Sequence, residues 1–150
     1  MRPISLALRA LAMFAIAALT AAPALAQGNA RTPVGNPSAT LTPAVRVGDI
    51  VYTSGQLGLS RDPADSTIQR QTRLALENIK RVLEQAGTRM DLAIKCTVFL
   101  VDVGDFAGMN SVYAEFWPSS PPARSTVVAK ALVVASAKIE IECMAAMPAR

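Results

Sequence analysis

Three charged side chains occupy positions where charges are costly. In the segment PPARSTVVAKALVVASAKIEIE, Pro121 to Glu142, Arg124 opens one apolar run, and Glu140 and Glu142 interrupt the next. Burying an unpaired charge is expensive, so each needs a partner or a task. The residue types suggest a task. A guanidinium grips a carboxylate through two parallel N–H donors and stays charged at any ordinary pH. A glutamate nearby can orient a water molecule and accept its proton. The bland alternative is an ion pair that satisfies itself across a hairpin or a subunit interface.

Other chemistries are closed to this chain. It contains no histidine, which removes His-based acid/base catalysis, Ser-His-Asp and Cys-His nucleophile systems, and most zinc chemistry. No metal and no cofactor is expected. Cys96 and Cys143 both fall within apolar strand patterns. The expectation is two buried free thiols, because mid-strand cysteines rarely meet bridging geometry; a disulfide is the alternative in an exported protein.

The elements that must position Arg124 and the glutamates follow from periodicity. Ala44–Ser60 reads as a β-hairpin turning at Gly48-Asp49, with a close backbone approach or bulge at Gly55 and a short third strand running to Ser60. Ser66 and Gln69 form a capping box that announces a helix. Ile68, Thr72, Ala75, Ile79, Val82, Leu83 and Ala86 share its apolar stripe, and Gly87 ends it. Ala93–Asp102 reads as a central strand. A second helix starts after Asp102 or at Asp105, presents Phe106, Met109 and Tyr113, and stops at Pro118. The opening segment supplies two more strands joined by a short loop. The order is β-β-(β)-α-β-α-β-β. This predicts one α+β domain: a single mixed sheet with two helices packed on one face.

Strand alternation then places the charges. Arg124, Thr126, Val128 and Lys130 share a face, as do Glu140, Glu142 and Met144, opposite Ile139, Ile141, Cys143 and Ala145. If the apolar sets meet the helices, Arg124, Glu140 and Glu142 all point to the helix-free face. That face needs a cover, and the cheapest cover is another copy of the chain.

The N-terminus reads differently. Arg2 and Arg9 precede an apolar run, Ala10 to Ala26, that ends Ala24-Leu25-Ala26. This is the pattern of a secretory signal peptide over residues 1–26, with an uncleaved membrane anchor as the rival. Residues 27–40 are expected to be a flexible tail and 41–150 the folded domain. Losing Arg2 and Arg9 lowers the formal charge from +4 to +2, with the remaining cations scattered, a poor match to nucleic acid.

The motifs VYTSGQLG, TVFLVDVGDF, MNSVYAEFW and PARSTV…KIEIE, in that order, resemble the Rid family, also called YjgF-like. The resemblance runs from about Leu41 to Met147. It implies a chorismate-mutase-like fold, a homotrimer with sites at subunit interfaces, and hydrolytic deamination of enamines and imines of 2-oxo acids. It further implies that Arg124 binds the substrate carboxylate, that Glu140 activates water, and that Ser54, Gly55, Asn110 and Thr126 line the pocket. Thr126 acts there through its backbone carbonyl. For Ser54 a plain turn contact stays open, and for Asn110 a helix hydrogen bond. Leu41 stands where the family's deaminases carry a tyrosine.

The leading reading is therefore an exported, periplasmic imine/enamine deaminase that binds small 2-imino or 2-oxo acids and, once cleaved, neither nucleic acid nor membrane. The alternative is a non-catalytic trimeric binder of small carboxylates. A ribonuclease, a third reading, lacks support in the charge and the aromatic content.

Overall fold

The computed structural model describes residues 30–62 and 64–149, so the expected signal peptide lies outside the described residues. The strands are β1 (Thr32–Val34), β2 (Ala44–Val47), β3 (Ile50–Thr53), β4 (Gln56–Leu57), β5 (Ala93–Leu100), β6 (Ala123–Val128) and β7 (Ile139–Ala146). The helices are α1 (Ile68–Gln85) and α2 (Phe106–Phe116), each preceded or followed by short 3₁₀ turns. The strands form one mixed sheet in the order β1-β2-β3-β7-β5-β6, with β4 also paired to β7. Both helices pack on one face. The α+β architecture is as the periodicity predicts.

The hairpin between β2 and β3 turns through Gly48, whose φ of +58° explains the glycine. Helix α1 starts one residue later than the capping box suggests: Thr67, not Ser66, is the N-cap, and its side chain accepts from the Arg70 N–H. Its stripe of Ala75, Leu76, Ile79 and Leu83 is fully buried against the sheet, each larger side chain contributing about 1.5–3 kcal/mol of burial. Gly87, at φ +82°, carries the chain out of the helix. Buried Gln71 donates to the Ser136 carbonyl at 3.0 Å and accepts from the Lys138 N–H at 2.8 Å. It thus fastens the segment between β6 and β7 onto α1. Helix α2 is moored at its end by Trp117, whose indole N–H donates to the Met90 carbonyl at 2.8 Å.

Four expectations are corrected. First, part of the supposed flexible tail is ordered: β1 pairs antiparallel with β2, and Val34 is buried. Second, the third strand of the hairpin region is only Gln56–Leu57 and does not reach Ser60. Third, the two strands expected to be joined by a short loop, β6 and β7, are not neighbours in the sheet. Strand β6 runs parallel to β5 at the sheet edge, reached from β5 through α2, while β7 pairs antiparallel with β5 on its other side. Fourth, Cys96 and Cys143 are bridged. They are direct partners in the β5–β7 register, Cα atoms 4.1 Å apart, and both are buried on the helix face.

Candidate active site

Register decides which face each charged residue uses. Arg124 pairs with Cys96, Thr126 with Val98, and Val128 with Leu100. Cys96, Val98 and Leu100 are all buried beneath the helices. Arg124, Thr126 and Val128 therefore lie on the helix side, contrary to the expectation that Arg124 faces away from the helices. Glu140 and Glu142 do occupy the helix-free face, opposite Phe99 and Thr97. The sequence argument failed at an edge strand. There the apolar residue Val127 is 45% exposed on the open face, and Arg124 tucks under α2 instead.

Under α2 the arginine has an unusual set of neighbours. Its guanidinium carbon lies 4.7 Å from the ring centre of Tyr113 and 5.8 Å from that of Phe106. Its Nη1 donates to the Met109 sulfur at 3.7 Å. Among the described residues it takes part in no ion pair. The charge is thus held by aromatic faces and a thioether, and is not neutralised. It opens onto a groove of about 480 Å³ lined by Asn110, Tyr113, Ala114, Trp117, Pro121, Pro122 and Arg124. Asn110 and Arg124, predicted separately, are brought together here. Thr126 follows Arg124 on the same face, and its buried hydroxyl oxygen has no hydrogen-bond partner among the described residues. So does that of Tyr113, whose hydroxyl is pushed up to about 12 by burial, with the positive charge of Arg124 pulling the other way.

The other predicted residues assemble elsewhere. Strand β3 leaves β7 after Tyr52 opposite Met144, and β4 rejoins it at Gln56 opposite Ile141. Ser54 and Gly55 fill the break. A side chain on Gly55 would collide with the Glu140 carboxylate, so that carboxylate rests against bare backbone. The Ser54 hydroxyl donates to the Thr42 carbonyl at 2.6 Å, and the Ser54 N–H donates to Pro43. Ser54 thus pins the segment carrying Leu41, which is half exposed. Nearby, Tyr52, Lys95, Thr97, Glu142 and Met144 line a second, smaller cavity of about 220 Å³ on the open face.

The two groups are separate within one chain. Arg124 sits level with Cys96 and Glu140 level with Phe99, on opposite faces of the sheet. Strands β6 and β7 also flank β5, so the residues are offset by roughly 10 Å along the strands and roughly 10 Å across them. The residues missed at the sequence level are Phe106 and Tyr113 as contacts of the arginine. Their spacing with Met109 (i, i+3, i+7) marked them as one helix stripe, but that stripe reads equally well as core. Among the described residues no group of three His, Cys, Asp or Glu side chains is placed to hold a metal ion.

Residues 33–147 match the family described as endoribonuclease L-PSP. The chain is 44% identical to the mitochondrial protein mmf2 of Schizosaccharomyces pombe, covering 69% of this chain and 84% of that protein. It is 36% identical to the chloroplastic Reactive Intermediate Deaminase A of Arabidopsis thaliana, covering 69% of this chain and 57% of that protein. Among solved structures, YyfA of the Rid protein family from Yersinia pestis superposes with a TM-score of 0.71 at 33% identity, covering 79% of this chain and all of that one.

Proposed function

The chain belongs to the endoribonuclease L-PSP family, which includes YjgF and Rid proteins, and from that premise we propose that it hydrolyses imines and enamines of 2-oxo acids. The observation that carries this reading is Arg124: a permanent cation, unpaired among the described residues, opening onto a groove. That is a receptor for a carboxylate. In the imine tautomer, the water oxygen bonds to C2 while the π pair moves to nitrogen, and Glu140 takes the water's proton. Glu140 returns that proton to the nitrogen, giving the carbinolamine. The hydroxyl proton then passes by way of Glu140 to the same nitrogen, the C–N bond breaks with its electron pair leaving on ammonia, and the hydroxyl oxygen's pair forms the carbonyl. Imine plus water thus gives 2-oxo acid plus ammonia. No histidine is needed, because an imine carbon is already electrophilic and a positioned carboxylate suffices.

One chain cannot do this alone, since the sheet separates Arg124 from Glu140. We therefore place the site between copies: the α2 groove at the β6 edge of one subunit meets the open sheet face of the next. This head-to-tail contact closes into a ring, which we take to be a homotrimer. The exposed Tyr52 and Val127 on the open face support such a cover.

The second reading, a trimer that binds carboxylates without turnover, is favoured by one residue, the apolar Leu41 where the family's deaminases have a tyrosine hydroxyl. We further place the mature protein in the periplasm after cleavage behind Ala26. The Cys96–Cys143 bridge supports an oxidising compartment, and an intact mass that includes Met1 would contradict it. The activity is tested with 2-iminobutyrate generated in situ. Faster release of 2-oxobutyrate, lost in Arg124→Ala, supports the enzyme. Binding of 2-oxobutyrate with no acceleration supports the binder, and cleavage of RNA at a comparable rate would displace both.

A further inference from the structure

A lone arginine on a sheet edge would sample many rotamers, and ordering it on ligand binding would weaken the complex. Arg124 is not left loose. Three side chains of one α2 stripe surround its head: Phe106 and Tyr113 offer ring faces at 5.8 and 4.7 Å, and Met109 offers a sulfur at 3.7 Å. None is ionised with the phenol at about 12. A carboxylate in their place would orient the guanidinium as firmly but would compete with the ligand for it. A neutral cage gives orientation and leaves the whole charge for the ligand.

We propose that Phe106, Met109 and Tyr113 are positioning residues that hold the Arg124 guanidinium ready for a carboxylate in the α2 groove; this rests on the assignment of Arg124 as the carboxylate-binding residue. Tyr113 acts through its ring. Its hydroxyl is buried without a partner among the described residues, so removing the hydroxyl costs little, whereas removing the ring releases the arginine.

The test is the affinity for 2-oxobutyrate, read by calorimetry and by the fluorescence of Trp117, the chain's one tryptophan, which lines the same groove. Tyr113→Leu and Phe106→Leu should each raise Kd by roughly 3- to 10-fold. In turnover the same variants should raise KM and leave kcat near the parent value. Tyr113→Phe should rescue the Kd and keep or raise the melting temperature. Phe106 is 42% exposed, so its variant carries the test if Tyr113→Leu does not fold. If both leucine variants fold and keep the parent Kd, the cage is refuted, and a parent-like Arg124→Ala removes the assignment of Arg124 and the cage with it. A Tyr113→Phe that loses as much as Tyr113→Leu refutes the ring role in favour of the hydroxyl.

Discussion

The α2 groove and the helix-free face solve opposite problems with the same sheet. In the groove a full positive charge is immobilised by neutral groups, so the region is organised before anything binds. On the open face, Glu140 rests against the bare backbone of Gly55 and, among the described residues, takes part in no ion pair. One region is organised within the chain, and in the proposed trimer the other is completed by a neighbouring copy. In the proposed mechanism binding and chemistry fall on different faces, and so should be separable by mutation.

The largest expected effect is on chemistry. Glu140→Gln should lose turnover by roughly 10²–10⁴-fold while keeping the Kd for 2-oxobutyrate and the assembly. A stable variant that still turns over at the parent rate would remove Glu140 from the mechanism. Next comes binding. Arg124→Lys replaces a planar fork with a point charge, and should cost on the order of 2–4 kcal/mol in kcat/KM, measured as single-turnover rates against substrate concentration.

The sharpest form of the comparison mixes the two. Equal co-expression of Arg124→Ala and Glu140→Gln chains should recover about a quarter of the parent activity, since one interface in four pairs an intact arginine with an intact glutamate. Recovery of none would place both residues on a single chain's site, against their positions on opposite faces.

The smallest effect concerns the groove alone. With its hydroxyl raised from 10.0 to about 12, Tyr113 is easier to ionise unfolded than folded. Its contribution is complete below pH 10 and fades as pH approaches 12. Chemical denaturation across that window should show a falling stability that Tyr113→Phe flattens.

Much of this was legible in the sequence. The apolar stripe of α1, the β2–β3 turn at Gly48, and the alternation of Ile139, Ile141 and Cys143 against Glu140 and Glu142 all follow from period alone. The two failures at the site share one cause. Reading Ala123–Val128 and Ile139–Ala146 only as two strands joined by a short loop hides β5 between them. With β5 in place, Cys96 meets Cys143 directly and Arg124 inherits the buried face of Cys96. Periodicity tells which residues share a face, but only strand order tells which face and which neighbours. The arginine's contacts were hidden for another reason: Phe106, Met109 and Tyr113 look like core until the strand beneath them is known to carry a guanidinium.

Strand β7 is the last of the described elements and lies in the middle of its sheet, touching β3, β4 and β5. Until Ile139–Ala146 emerges from the ribosome, the β1–β3 ladder and the β5–β6 pair have no strand to join them. The nascent chain thus holds two partial sheets with open edges, and their closure waits on contacts between residues far apart in sequence. Completion of this sheet therefore waits on β7, and the glutamate of the proposed site arrives on the same strand that completes the fold.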